Sequence, residues 1–247
     1  MSNHPDTPML DFTPWDQLLR RYVSDRGQVN YQAWKQQDAH TLQAWLDDLS
    51  HLDPQQYPDT EQQLALWINL YNALTIAKVL ERYPIGSIRP SLLPKPFNIP
   101  NWVAFIWFFL SRTYGLGGKH YSLNRIEHQV LRKQFNEPRI HFALVCASVG
   151  CPLLRNEAYV PDRVRHQLEE DAVRFINNPD KVCYDHQRQV LHCSKIFKWY
   201  KSDFQQVSPS LQDYIRQYLH DDVPVTTEVP IVYLPYDLRL NDQRMSS

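Results

Sequence analysis

The sequence predicts an α+β fold, mainly helical, with a small antiparallel sheet formed by the C-terminal half. Three observations predict it. Apolar residues recur at helical spacing through the opening third; the run LALWINLYNALTIAKVL (64–80) is apolar nearly all round; and short extended segments flanked by turn residues occur only late. There is no βαβ rhythm and no repeat, which excludes a doubly wound sheet or a solenoid. The 247 residues suit a single domain over 1–247.

In order along the chain, Trp15, Leu18, Leu19 and Tyr22 define a first helix (14–22), and Leu42, Trp45, Leu46 and Leu49 define another (39–49). Gly27 to Tyr31 reads as a turn entering a short extended piece. Thr60-Glu61-Gln62-Gln63 fits a capping box, and Pro84 stops the helix that follows. Asn69 and Asn72 lie one turn apart on it, so their amides must face a polar pocket or brace a neighbouring loop. Residues 84–100 are a proline-rich loop. The glycines around Leu116 lack the preceding strand and the G-K-[ST] ending of a phosphate-binding loop. Ser122 is a good N-cap for a helix over 123–135. Phe142-Ala143-Leu144-Val145 reads as a buried strand and 162–177 as a helix. Val182-Cys183-Tyr184 and Val190 to Cys193 form a hairpin about Gln187. Residues 194–204 form a packed helix with solvated lysines, 211–219 a late amphipathic helix, and 230–234 a closing strand.

The net charge of −1, evenly mixed, gives no footprint for nucleic acid or anionic membranes. The N-terminus has neither a basic nor an apolar leader segment, which points to a cytoplasmic address with all four cysteines as thiols. The apolar run from Trp102 to Leu110 is too short for the ~20 residues of a transmembrane segment. It reads either as a buried helix or as a docking surface for a membrane or a protein partner. No cofactor motif is present, and the Cys and His spacings match no zinc signature, so no metal is expected.

Reactive residues concentrate in RIHFALVCASVGCPLLR (139–155). A thiolate needs a base or a cationic neighbour to form at neutral pH, so His141, Cys146 and Cys151 invite a cysteine–histidine site. Along a regular strand His141 and Cys146 would face opposite sides, ~16 Å apart. Either Cys151 folds back to His141, or another histidine serves Cys146. Glu127-His128 is the second source, a carboxylate beside an imidazole; its structural counterpart is an ion pair of Glu127 with Arg139 or Arg155. Cys183 and Cys193 read as small apolar residues across the hairpin.

The motifs LALWINLYNAL, SLNRIEHQVLR, RIHFALVCASVGCPLLRNEAY and SKIFKWYKSDF, with the closing YDLRLN (236–241), resemble the domain-of-unknown-function 547 family from Trp15 to Asn241. The resemblance carries no settled reaction. It selects Asn69, Asn72, Glu127, His128, His141, Cys146, Cys151, Pro152, Arg155, Tyr200 and Asp203. The chain departs from the family pattern at Leu238-Arg239, where tryptophan and serine are usual, and at Asn124-Arg125, where an acidic pair is usual. A central helix facing a small sheet is also similar to papain-like and transglutaminase-like folds, although those carry their cysteine at the start of that helix.

Three functional expectations follow. One is a cysteine-dependent hydrolase or acyl transferase: Cys146 or Cys151 is the nucleophile, His128 or His141 the base, Glu127 the orienting carboxylate and Asn72 a transition-state donor. Asn69, Arg155, Tyr200 and Asp203 would then assist binding. Another is a non-catalytic peptide- or protein-binding module in which the Asn, Glu, His and Cys groups form a structural polar network. A redox use of Cys146 and Cys151 as a reversible pair is a third.

Overall fold

The computed structural model describes residues 10–88, 113–220 and 223–245. The aromatic run from Trp102 to Leu110 and most of the proline-rich loop lie outside the described residues. Helices α2 (Tyr31–Gln37) and α3 (Ala39–Ser50) pack on α4 (Thr60–Arg82), and α1 (Thr13–Tyr22) packs its apolar face on α2 and α3. Trp15 stacks on Trp45 at 5.8 Å and Tyr22 on Trp34 at 5.1 Å between ring centroids. The expected extended piece is a Val23–Val29 bridge, and α2, which was not expected, follows at once because Asn30 caps it by accepting from the Ala33 amide. The cap of α4 is Asp59, one residue before the expected Thr60, accepting from the Gln62 N–H at 2.8 Å. The helix ends at Arg82, with Tyr83 as an extended C-cap ahead of Pro84.

The expected strand at 142–145 is not a strand. Pro138–Phe142 forms a 3-10 turn, and the chain beyond it is buried and irregular. Its main-chain groups find a side chain instead of a neighbouring strand. Asn72 Nδ2 donates to the Ala143 carbonyl and Asn72 Oδ1 accepts from the Val145 amide, both at 3.0 Å. Asn69 does the same for Tyr159, donating to its carbonyl at 2.7 Å and accepting from its amide at 3.0 Å. Both asparagines are the loop braces that the sequence suggested.

The glycines around Leu116 belong to a hairpin of β1 (Tyr114–Leu116) and β2 (Lys119–Tyr121), whose turn needs the positive φ of Gly117 and Gly118. Ser122 caps the next helical stretch as expected. That stretch is not uniform: α5 (Leu123–Arg125) widens into a π turn (Ile126–Leu131) and resumes as α6 (Arg132–Phe135). After α7 (Val164–Ile176), the hairpin β3 (Val182–Asp185)–β4 (Val190–Cys193) forms as expected. Residues 194–207 divide at Tyr200 into α8 (Lys195–Trp199) and α9 (Lys201–Val207), and α10 (Leu211–Arg216) follows. The closing strand β5 (Ile231–Tyr233) runs parallel to β4, so this sheet is mixed rather than wholly antiparallel. Phe142, Phe175, Phe197, Phe204 and Tyr214 pack beside it as an aromatic core.

Beyond β5 the chain crosses the loop that follows Cys146. The Gly150 amide donates to the Asp237 carbonyl at 2.8 Å, Val149 to Arg239 at 2.9 Å, and Asn241 to Ala147 at 3.1 Å. A Cβ at Gly150 would stand 2.8 Å from the Asp237 carbonyl oxygen, so only glycine permits this approach. Val29 then donates to the Asn241 carbonyl at 3.0 Å, and the Tyr83 hydroxyl to Asp242 at 2.8 Å. Among the described residues no helix is long and apolar enough to cross a membrane.

Replacing Asn72 with alanine leaves the Ala143 carbonyl and the Val145 amide buried without partners. The expected cost is about 2–4 kcal/mol, read as a lower urea midpoint at constant m. A loss under ~0.5 kcal/mol, the range of a neutral surface change, would mean that the segment finds other partners.

Candidate functional site

The π turn sets Glu127 inward, 7 % exposed, although it lies in the middle of a helical stretch. Its carboxylate accepts hydrogen bonds from the hydroxyl of Tyr71, at 3.1 Å, and from that of Tyr200. Burial, reinforced by the charge of Glu127, holds both phenols well above their ordinary pKa, so they remain donors at neutral pH. The alternative ion pair with Arg139 or Arg155 does not form: Arg139 binds Glu137 and Glu169, and Arg155 binds Glu157, Glu170 and Asp171.

The carboxylate on the buried imidazole is Asp203 rather than Glu127. His141 Nε2 lies 2.8 Å from Asp203 Oδ2. Arg132 clamps the same carboxylate with Nε and Nη2, at 2.6 and 2.7 Å, and donates through Nη1 to His128 Nδ1 at 2.8 Å. Burial alone would raise the Asp203 carboxyl, but its bonds from Arg132 and His141 prevail and hold it well below the usual carboxylate range. An ionised Asp203 accepts, so the His141 proton sits on Nε2 and Nδ1 is the basic nitrogen. The ring stacks on Tyr200 at 3.7 Å between centroids, with the edge of Phe204 at 5.6 Å. Burial holds the imidazole below its ordinary pKa against the opposing pull of Asp203 and Glu127.

Cys146 and Cys151 are joined as a disulfide, which corrects the expectation of four thiols. The cause is local. Ala147 takes a positive φ of 64°, and the loop turns back until the two Cα atoms are 6.1 Å apart. Cys151 Sγ accepts from the Cys146 amide at 2.8 Å; the Tyr236 hydroxyl lies 3.1 Å from Cys151 Sγ and 3.2 Å from Cys146 Sγ, and Ser148 Oγ lies 3.1 Å from Cys146 Sγ. Because 138–145 is a turn and not a strand, His141 and Cys146 do not face opposite ways, as expected for a strand, but line one cavity of about 140 Å³. Glu127, His128, Cys151 and Tyr200 share its wall. Cys183 and Cys193 are free; the register sets Cys183 against His192, and only Cys193 is buried, which pushes its thiol up to about 12.

The structure thus gathers Glu127, His128, His141, Cys146, Cys151 and Tyr200, with Asp203 bound to the imidazole. Asn72 braces the floor from behind. Asn69 and Arg155 stand apart, Arg155 in a network with Glu157 and Asp171 that ties its loop to α7. Tyr71, Arg132 and Tyr236 were not singled out from the sequence, although each falls inside a motif quoted above.

The folded imidazole binds its proton less readily than an unfolded one, so the sign is fixed. As the pH falls below ~6.5, the unfolded chain takes up a proton that the native chain refuses, and stability declines until folded His141 is itself protonated. His141→Asn is expected to flatten that part of the pH–stability curve in chemical denaturation. An unchanged slope would show that His141 titrates alike in both states.

Residues 54–176, which carry α4, the π turn, His141 and both bonded cysteines, match the family described as "Protein of unknown function, DUF547". No curated protein and no solved structure matches the chain. By its motifs and by that match, residues 54–176 of the chain are a DUF547 family region.

Proposed function

We propose that this chain is a thiol-dependent enzyme of hydrolase or acyl-transferase type, active when the Cys146–Cys151 disulfide is reduced. The observation that carries this reading is the His141–Asp203 pair, an imidazole oriented by a carboxylate on the cavity that both sulfurs line. Opening the bridge requires a dithiol: its two sulfhydryl hydrogens pass to Cys146 and Cys151 while the reductant closes to a disulfide. Cys151 is the better nucleophile, because its sulfur accepts from a main-chain N–H, that of Cys146, which favours a thiolate, whereas the Tyr236 hydroxyl lies near both sulfurs.

His141 Nδ1 would accept the Cys151 proton as sulfur attacks an acyl carbon, then return it to the leaving group. Water, or a second acceptor, would release the acyl group. Asp203 holds the ring, and the nearby charge of Glu127 favours the imidazolium formed on the way. Asn72, with its amide on Ala143 and Val145, acts in this scheme by positioning the turn rather than as a transition-state donor. The second reading, a binding module, is favoured by the same disulfide taken as a permanent staple, with Asn69, Asn72 and Arg155 bracing the loops around it.

Alkylation of the reduced native chain against pH, with each cysteine resolved by mass spectrometry, separates the two. Cys151 is expected to react fastest, with an apparent pKa below the ~8.5 of a free thiol, and Asp203→Asn to move it back toward that value. If both sulfurs react only after denaturation, the binding module is the correct reading. Cys151→Ser should melt with the reduced wild type, since both lack the bridge.

A further inference from the structure

A second, larger cleft, of about 670 Å³, shares Cys151, Pro152 and Tyr236 with the small cavity. Its size falls in the ~300–1,000 Å³ range of small-molecule sites. Lys181 lines it with only 8 % of its surface exposed. The lysine is set by a tight turn: its amide donates to the Asn178 carbonyl at 2.8 Å, and its carbonyl accepts from Ser194 at 2.7 Å. The ammonium donates to the Val149 carbonyl at 2.7 Å, which tethers the loop after Cys146. That bond uses one of three N–H donors, and among the described residues no carboxylate lies within ion-pair distance of it.

A buried ammonium without a counter-ion is costly, and the loop tether alone would be served by a neutral donor. Burial lowers this lysine to about 8, against the weaker pull of Asp180 and Asp237, so it is still largely charged at pH 7. The surrounding charges decide what anion fits. Asp237 is held by Arg239 at 2.9 Å and Asp25 by the Asn156 amide at 2.9 Å; Asp180 and Arg26 are exposed. With three aspartates against Arg26, Lys181 and Arg239, the cleft is electrically balanced and disfavours a multiply charged anion. Ser148, Asn178 and Asn241 add hydroxyl and amide groups to the wall.

We propose that this cleft binds a singly charged carboxylate carried on a polar, peptide-like body, with the Lys181 ammonium as its anchor. Binding here does not require thiol chemistry. Measured on the disulfide-bonded chain, its failure would leave the Cys151 reading intact, and failure of that reading would leave the anchor intact.

The probe is N-acetylglycylglycine, compared with its C-terminal amide and with inorganic phosphate, titrated calorimetrically into the full chain without reductant. The acid is expected to bind one saturable site, about tenfold or more tighter than the amide, and Lys181→Met to lose that margin. Should the Met variant not fold, acylation of Lys181 by acetic anhydride in the unmodified protein, followed by mass spectrometry, gives the same answer: the acid slows it and the amide does not. The proposal is overturned by no saturable binding of the acid, by equal protection from the amide, or by tighter binding of phosphate than of the acid.

Discussion

The amides of Asn69 and Asn72 do for this chain what a neighbouring strand does in a sheet. Each supplies one donor and one acceptor to a stretch of buried main chain that has no ladder partner. Asn72 fixes residues 143–145, and so the imidazole before them and the first bonded cysteine after them. Asn69 fixes Tyr159, whose hydroxyl donates to Asp171 at 2.6 Å and thereby joins the Arg155 network. Both asparagines project from a helix that is buried nearly all round, so the frame they refer to is part of the hydrophobic core.

On that frame the polar groups form two linked sets. Tyr71 and Tyr200 hold Glu127, while Arg132 and Asp203 hold the two histidines. Tyr200 joins the sets, its hydroxyl on Glu127 and its ring on His141. Arg132 lies 5.3 Å from that ring's centroid while bonding Asp203 and His128. A change at any of these side chains therefore alters the orientation of the others, and single replacements here will not add.

Much of this was legible in the sequence. Helix α4, the Ser122 cap, the β3–β4 hairpin and the concentration of chemistry at 139–155 follow from periodicity, capping and turn residues alone. The strand misreading has a plain cause: Phe142-Ala143-Leu144-Val145 is equally buried and apolar whether its partners are a strand or a side-chain amide. The disulfide depends on one positive φ at Ala147, a residue with no outward preference for it. The Asp203–His141 contact joins positions 62 apart, which no spacing rule reaches; the motif SKIFKWYKSDF was the available signal. The π turn left no mark in the sequence, yet it sets how Glu127 and His128 face the cavity.

The crossing of residues 237–241 over the Cys146–Cys151 loop has a consequence for how the molecule is made. Gly150, Val149 and Ala147 all bond to main chain near the last described residues, and Tyr236 reaches the sulfurs from the same segment. A nascent chain emerging from the ribosome can pack α1 to α4 and position Asn69 and Asn72 long before that segment is synthesised. Until then the cysteine loop lacks both its main-chain partners and the hydroxyl that covers it. During synthesis the two sulfurs are therefore without the cover that the finished fold gives them.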